Sequence, residues 1–280
     1  MTSSTSEKKP MTLQKAFSEI HFYRGAPPIE AYKFLIEHKD EATPHLLQEL
    51  KNAVQRHGHT GDYYVAHVHS LVLLSKFREK KAYPIVVELL NLPIEAIDRL
   101  IGEMITQSLH KVIISVYEGN PEPLFNLLNN HEVDVFIKKV VGSSVSGLIH
   151  QKLIDKELVI FRLQEIIASG KMNQDPAFFT ALAFMTMESK LLPLYDIVRA
   201  AFKIDLISVE MMNVHYFEEN LLKSTDEINL KGDLDPINNA VNEIKNLYLD
   251  HAPIPVKIER NALCPCGSNQ KFKKCCIRMI

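Results

Sequence analysis

The sequence predicts an all-α chain of stacked helical hairpins with a small cysteine-rich piece at its end. Three observations carry this. Apolar residues recur at helical spacing nearly throughout, strand-like alternation is scarce, and proline-led segments of one pattern return at near-regular intervals. With 280 residues, 46% hydrophobic and 24% charged, the chain is large enough to bury a sizeable core in one or two domains.

Taken in order, residues 1–10 are small and polar and read as a disordered lead-in. IEAYKFLIEH then places Ile29, Tyr32, Leu35 and Ile36 near one helical face. The organisation emerges when the prolines are aligned. TPHLLQELKN at Pro44, YPIVVELLNL at Pro84, EPLFNLLNNH at Pro123 and LPLYDIVRAA at Pro193 share a pattern of proline, apolar residues, a polar residue and further apolar residues. The intervals are 40, 39 and 70 residues, and a weaker copy, KELVIFRLQE near Leu158, falls midway across the last gap.

Proline costs nothing in a helix's first turn, so each copy reads as the second helix of a pair. The first helices are then GDYYVAHVHSLVLLSKF, the region 94–117, HEVDVFIKKVVGSSVSGLI and DPAFFTALAFMTM, the last with an Asp175 cap and Pro176 in its first turn. Paired helices repeating every 35 to 40 residues predict a HEAT-like superhelix over residues 11–223. Within it, GSSVSG at 142–147 lies between Val140 and Ile149 in a helical pattern, and it reads as a close helix crossing because no strand precedes it as a phosphate loop requires. ALAFMTM reads as core. MMNVHYFEENLLKS is the last helix of the stack. Residues 224–258 divide into a loop, a capping helix in PINNAVNEIKNLYLDH and a proline-stiffened linker, APIPVKIER, leading to a module at 259–280.

The formal charge of −2 gives no overall pull toward nucleic acid or membrane. From Lys257 onward six basic residues face one acid, leaving 26 basic and 33 acidic groups in the rest, so a basic tail follows an acidic body. No apolar run approaches the ~20 residues that cross a bilayer, and MTSSTSEKKP lacks the apolar core of a secretion signal. A cytoplasmic protein is expected, with delivery into a host cell left open. No G-x-x-x-x-G-K-S/T loop, G-x-S-x-G elbow or H-E-x-x-H pair occurs. The one constellation suggesting an enzyme is RHGHTGDYYVAHVHS, which offers His57, His59, Asp62, His67 and His69. Residues two apart on a helix point about 200° away from each other, so His67 and His69 would need a break in the helix to share an ion. A polar loop followed by ordinary helical histidines accounts for the same residues.

All four cysteines lie at the end of the sequence, as Cys264, Cys266, Cys275 and Cys276 in the spacing C-x-C-x8-C-C. Four thiolates saturate a tetrahedral zinc ion, and some twenty residues cannot otherwise bury enough surface to fold. Four unrelated thiols or a vicinal disulfide are the alternatives. The residues CPCGSNQKFKKCC resemble the SEC-C motif, the zinc-binding tail of the SecA translocation ATPase and of many other bacterial proteins. The likeness covers 260–277 and includes Asn261, the Cys-Pro-Cys-Gly-Ser core, Phe272, Lys273 and the closing cysteine pair. Leu263 stands where the motif usually has proline, and Asn269 where it usually has glycine. The resemblance implies that the four cysteines bind Zn²⁺, with iron the alternative, and that the module docks on a protein such as a chaperone or the ribosome. Lys271, Phe272, Lys273, Lys274 and Arg278 are the expected partner-binding residues, since the tail remains about +3 after a Zn²⁺ with four thiolates is counted. More loosely, LIGEMITQSLHKVIISVYEGNPEPLFNLLNN is similar to uncharacterised bacterial HEAT-repeat proteins that end in this motif. A protein-binding adaptor is the expected function, with an enzyme built on the histidine cluster as the rival.

Overall fold

The computed structural model describes residues 10–57, 63–223, 233–248 and 258–279. Among them the chain is helical, with two isolated β-bridges and no strand. In order the helices are α1 (Leu13–His21), α2 (Ile29–Glu37), α3 (Lys39–Gln55), α4 (Ala66–Phe77), α5 (Tyr83–Leu90), α6 (Ile94–Ile101), α7 (Met104–Gln107), α8 (Leu109–Val116), α9 (Glu122–Leu128), α10 (Val135–His150), α11 (Lys156–Ala168), α12 (Pro176–Ser189), α13 (Tyr195–Lys203), α14 (Val214–Leu221) and α15 (Ala240–Tyr248). Four short 3₁₀ turns supplement them. No described helix is long and apolar enough to cross a membrane. The chain divides into two compact units, 1–73 with 240–280, and 74–239.

In the unit 74–239, α10 packs against α8 on one side and α12 on the other, and α12 continues to α14. The helices between follow their partners: α5 touches α8 and α9, and α13 touches α12. The starts of these helices are written in the sequence. Pro84 and Pro123 occupy first turns, where the missing N–H costs nothing, and Asp155 and Asp175 cap α11 and α12 by accepting from the Leu158 and Phe178 amides at 3.1 and 2.9 Å. The GSSVSG segment is a close crossing. A Cβ at Gly142 would stand 2.9 Å from Met185 Cγ in α12, and one at Gly147 would stand 2.2 Å from Ile114 Cδ1 in α8.

Two helix expectations are corrected. Region 94–117 is three helices, because Gly102 takes a left-handed φ of 43° that ends α6, and a second break falls at Ser108. Pro44 lies inside α3 rather than in a first turn. The site is exposed, so the Asp40 carbonyl that would have accepted from residue 44 can turn to water.

One fully buried charge in this unit is paired. Lys138 has no exposed surface, and its Nζ donates to Asp175 Oδ2 at 2.5 Å. The segment before α15 is fastened by Arg78, which donates to the Ile237 carbonyl at 2.9 Å, and by the Ile237 amide, which donates to Ser115 Oγ at 2.8 Å.

In the unit 1–73 with 240–280, α2 packs against α1, α3 and α15. Thr12 caps α1 by accepting from the Lys15 amide at 3.2 Å. After α1 the chain runs beside residues 63–65, joined by Tyr23 N to Tyr63 O at 2.9 Å and Val65 N to His21 O at 3.0 Å. Those short pairings present Phe22 and Tyr64 side by side, 5.7 Å apart and edge to face. Residues 1–9 of the lead-in expected at 1–10, residues 224–232 of the expected loop and most of the proline-rich linker lie outside the described residues.

Candidate metal centre

The last described residues form a small knuckle around sulfur. The chain runs out through Ala262 to Cys264, turns, and returns through Gln270 to Phe272. Cys264 N donates to Gln270 O at 2.7 Å, and Phe272 N to Ala262 O at 2.8 Å. These bonds flank the Leu263–Lys271 bridge, so the Leu263 amide is left out of the ladder. That explains why proline and leucine are interchangeable there. Gly267 and Asn269 close the turn with φ of 76° and 57°. Asparagine is among the few side-chain-bearing residues that tolerate this left-handed region, which accounts for its standing in a usual glycine position.

The turn and the 3₁₀ turns at Phe272–Lys274 and Cys276–Met279 bring Cys264, Cys266, Cys275 and Cys276 together, with all four sulfurs within 4.8 Å of one another. Cys266 Sγ and Cys275 Sγ are 3.5 Å apart, and Cys275 Sγ and Cys276 Sγ 4.0 Å. Sulfurs at the corners of a tetrahedron around an ion at ~2.3 Å stand ~3.8 Å apart, so these spacings fit one ion. A disulfide needs ~2.05 Å, and all four thiols are free. Cys264, Cys266 and Cys276 are buried and Cys275 is partly so. Ser268 Oγ donates to Cys275 Sγ at 3.3 Å. Hydrogen bonding from Cys276 holds the Cys266 thiol down at about 4, while the same hydrogen bond, with Cys266 as acceptor, pushes Cys276 up. Four thiols this close share their charge unevenly, and a divalent cation is what allows all four to ionise together.

The knuckle does not stand alone. Phe22, Tyr64 and Ala66 form one buried cluster with Cys264, Cys266, Phe272 and Cys276, and Ile258, Cys275 and Ile277 pack against it. Phe272 meets Phe22 edge to face at 5.9 Å. Arg56, at the end of α3, donates to the Cys266 carbonyl, and Tyr64 donates its hydroxyl to Glu49. Burial pushes Glu49 and Tyr64 up and pulls His21 down to about 4. Sequence reasoning missed Phe22, Arg56 and Tyr64. The signal was slight: a Phe-Tyr pair just after α1 and a second Tyr pair at 63–64.

The expected partner-binding set is corrected at one position. Phe272 is 5% exposed and serves as the knuckle's inner anchor, so it offers nothing to a partner. Lys271 and Lys274 are exposed and Lys273 is half-buried, whereas the Arg278 side chain lies outside the described residues.

The histidine cluster fares differently. His59 and Asp62 lie outside the described residues. His57 sits in the turn after α3 with a φ of 49°. His67 is buried in α4 beside Tyr64, their rings 6.1 Å apart. His69 is fully buried with both ring nitrogens engaged, Nδ1 with Tyr32 Oη at 2.9 Å and Nε2 with Tyr248 Oη at 3.1 Å, which leaves it no lone pair for an ion. Among the described residues, the four cysteines are the only group of three or more such donors placed to hold a metal.

Fold and site define the class: an all-helical chain carrying a SEC-C motif, matched over residues 260–278 and of a metal-binding type. The chain belongs to the family described as protein of unknown function (DUF1186), which it matches over residues 11–249. It is also similar to an uncharacterized protein of Chlamydia muridarum, 22% identical over 170 residues that make up 60% of this chain and 68% of that one. A Chlamydia trachomatis counterpart is likewise 22% identical, over 60% of this chain and 67% of its own. No solved structure matches.

Proposed function

We propose that the protein is a non-enzymatic adaptor of the cytoplasm, in which one Zn²⁺ held by Cys264, Cys266, Cys275 and Cys276 shapes a basic knuckle for docking on an acidic protein surface, such as the ribosome or a chaperone. The observation that carries this reading is the closed set of four sulfurs, three of them buried. A site with four thiolates keeps no open position for a substrate, so the ion serves structure. Lys271 and Lys274 stand on the exposed side of the same hairpin whose Phe272 faces inward, which leaves recognition to charge. The unit 74–239 is proposed as a HEAT-like stack that holds a second protein. Its support is the sequential packing of α8, α10, α12 and α14, the first three each followed by a shorter helix.

Elemental analysis together with cosedimentation on purified bacterial ribosomes tests the reading. One zinc per chain is expected, lost in Cys275→Ser/Cys276→Ser along with ribosome binding. Lys271→Glu/Lys274→Glu should keep the zinc and lose the ribosome. Iron in place of zinc would revise the ion alone. Charge reversal that leaves cosedimentation unchanged, or no cosedimentation by the zinc-loaded protein, would defeat the docking role on the ribosome.

A further inference from the structure

Within the unit 74–239 a pocket of about 190 Å³ opens where α7, α8, α10, α12 and α14 meet the segment at Asp233. Its polar wall is an unmet carboxylate. Glu188 in α12 is 5% exposed, and its Oε1 accepts from Ser143 Oγ at 3.0 Å. Its Oε2 is buried and no donor among the described residues stands within full hydrogen-bonding geometry of it, although the Ser146 hydroxyl, itself without such a bond, lies close enough to pull the carboxyl down together with Ser143. Leaving a charged oxygen buried and unpaired is costly, and burial holds this carboxyl at about 7. Lys139 lies one turn before Ser143 in α10, its Nζ 5.2 Å from the centre of the Phe184 ring, and its charge pulls Glu188 back down. His110 donates from Nε2 to the Asp233 carbonyl at 2.9 Å, and burial holds it at about 4, so it is neutral. The remaining walls include Phe184, Met187 and Leu234.

The donors are too few for a metal, since these residues form no group of three placed to hold one. What the pocket offers is one carboxylate oxygen seeking a donor, one ammonium and an apolar wall; its second carboxylate, Asp233, is already paired with Lys111 at 3.6 Å. A cavity of ~150 Å³ accepts a benzene-sized molecule, so about 190 Å³ takes something slightly larger. We propose that this pocket binds a free apolar α-amino acid, its ammonium donating to Glu188 Oε2, its carboxylate paired with Lys139 and its side chain against Phe184, Met187 and Leu234. Each charged group of such a zwitterion meets its opposite, and neither pocket charge is left alone.

The test is calorimetric titration of the full-length protein with each of the proteinogenic amino acids. At least one apolar amino acid should bind saturably, with a dissociation constant on the order of millimolar or tighter. Glu188→Gln, which keeps an acceptor for Ser143 but loses the charge, should weaken it by about tenfold or more. For the best ligand, the methyl ester and the deaminated acid should each bind far more weakly than the parent, a comparison that needs no variant. Absence of binding by every amino acid overturns the proposal. So does a folded Glu188→Gln protein that binds like wild type, or half-ligands that bind as well as the whole.

Discussion

Helix α12 and the cysteine knuckle are held in place by opposite means. Ten of the fourteen residues of α12 are buried, from Phe178 to Glu188. In the knuckle, the buried set between Ile258 and Ile277 is three cysteines and Phe272. One buried phenylalanine contributes ~1.5–3 kcal/mol, while ordering each backbone residue costs ~1–2 kcal/mol. A helix can therefore be placed by oil-like packing with no further help. The knuckle needs a stronger fastening, and four thiols placed to hold one ion would supply it.

That contrast can be tested in descending order of effect. Removing metal, by chelation or by Cys275→Ser/Cys276→Ser, should cost the knuckle the ~10–16 kcal/mol typical of structural zinc. Amide exchange at 258–279 should then lose its protection while protection in 74–239 stays. If both regions loosen together, the contrast fails. Next, Asp175→Ala strips Lys138 of its partner and removes the cap of α12. Leaving a fully buried ammonium uncompensated should cost about 3–5 kcal/mol in chemical denaturation, with metal content unchanged.

The smallest effect concerns acid. Burial holds His69 neutral with a pKa of about 3, against 6.5 unfolded. The folded form thus resists a proton that the unfolded form takes. Its contribution is complete above pH 6.5 and is lost as pH falls from there toward 3, amounting to about 2 kcal/mol at pH 5. His69→Gln should flatten the acid limb of the unfolding curve by that amount relative to wild type. Metal loss is common to both proteins and drops out of the difference.

Much of the helical order was legible because its causes are local. Pro84, Pro123, Asp155 and Asp175 mark helix starts by what they do to their own backbone, and the four cysteines announce themselves by spacing. Glycine at 142 and 147 likewise signalled close approach. Hidden were features decided by distant neighbours. Arg56 meets Cys266 across 210 residues, and nothing near either reveals it. Phe272 looked like a docking side chain because aromatic residues at interfaces and in cores read alike, and only Phe22 decides between them. The break at Gly102 was visible as a glycine, yet its left-handed conformation was not.

The pairing of Arg56 with Cys266 also sets an order of assembly. Residues 74–239 are contiguous, so that unit can complete itself as soon as it leaves the ribosome. The other unit must wait, with Phe22 and Tyr64 uncovered, while about 200 further residues are made. At ~5–20 residues per second that delay is roughly 10–40 s. During synthesis, an exposed aromatic pair is thus on offer to any chaperone before the knuckle arrives to cover it.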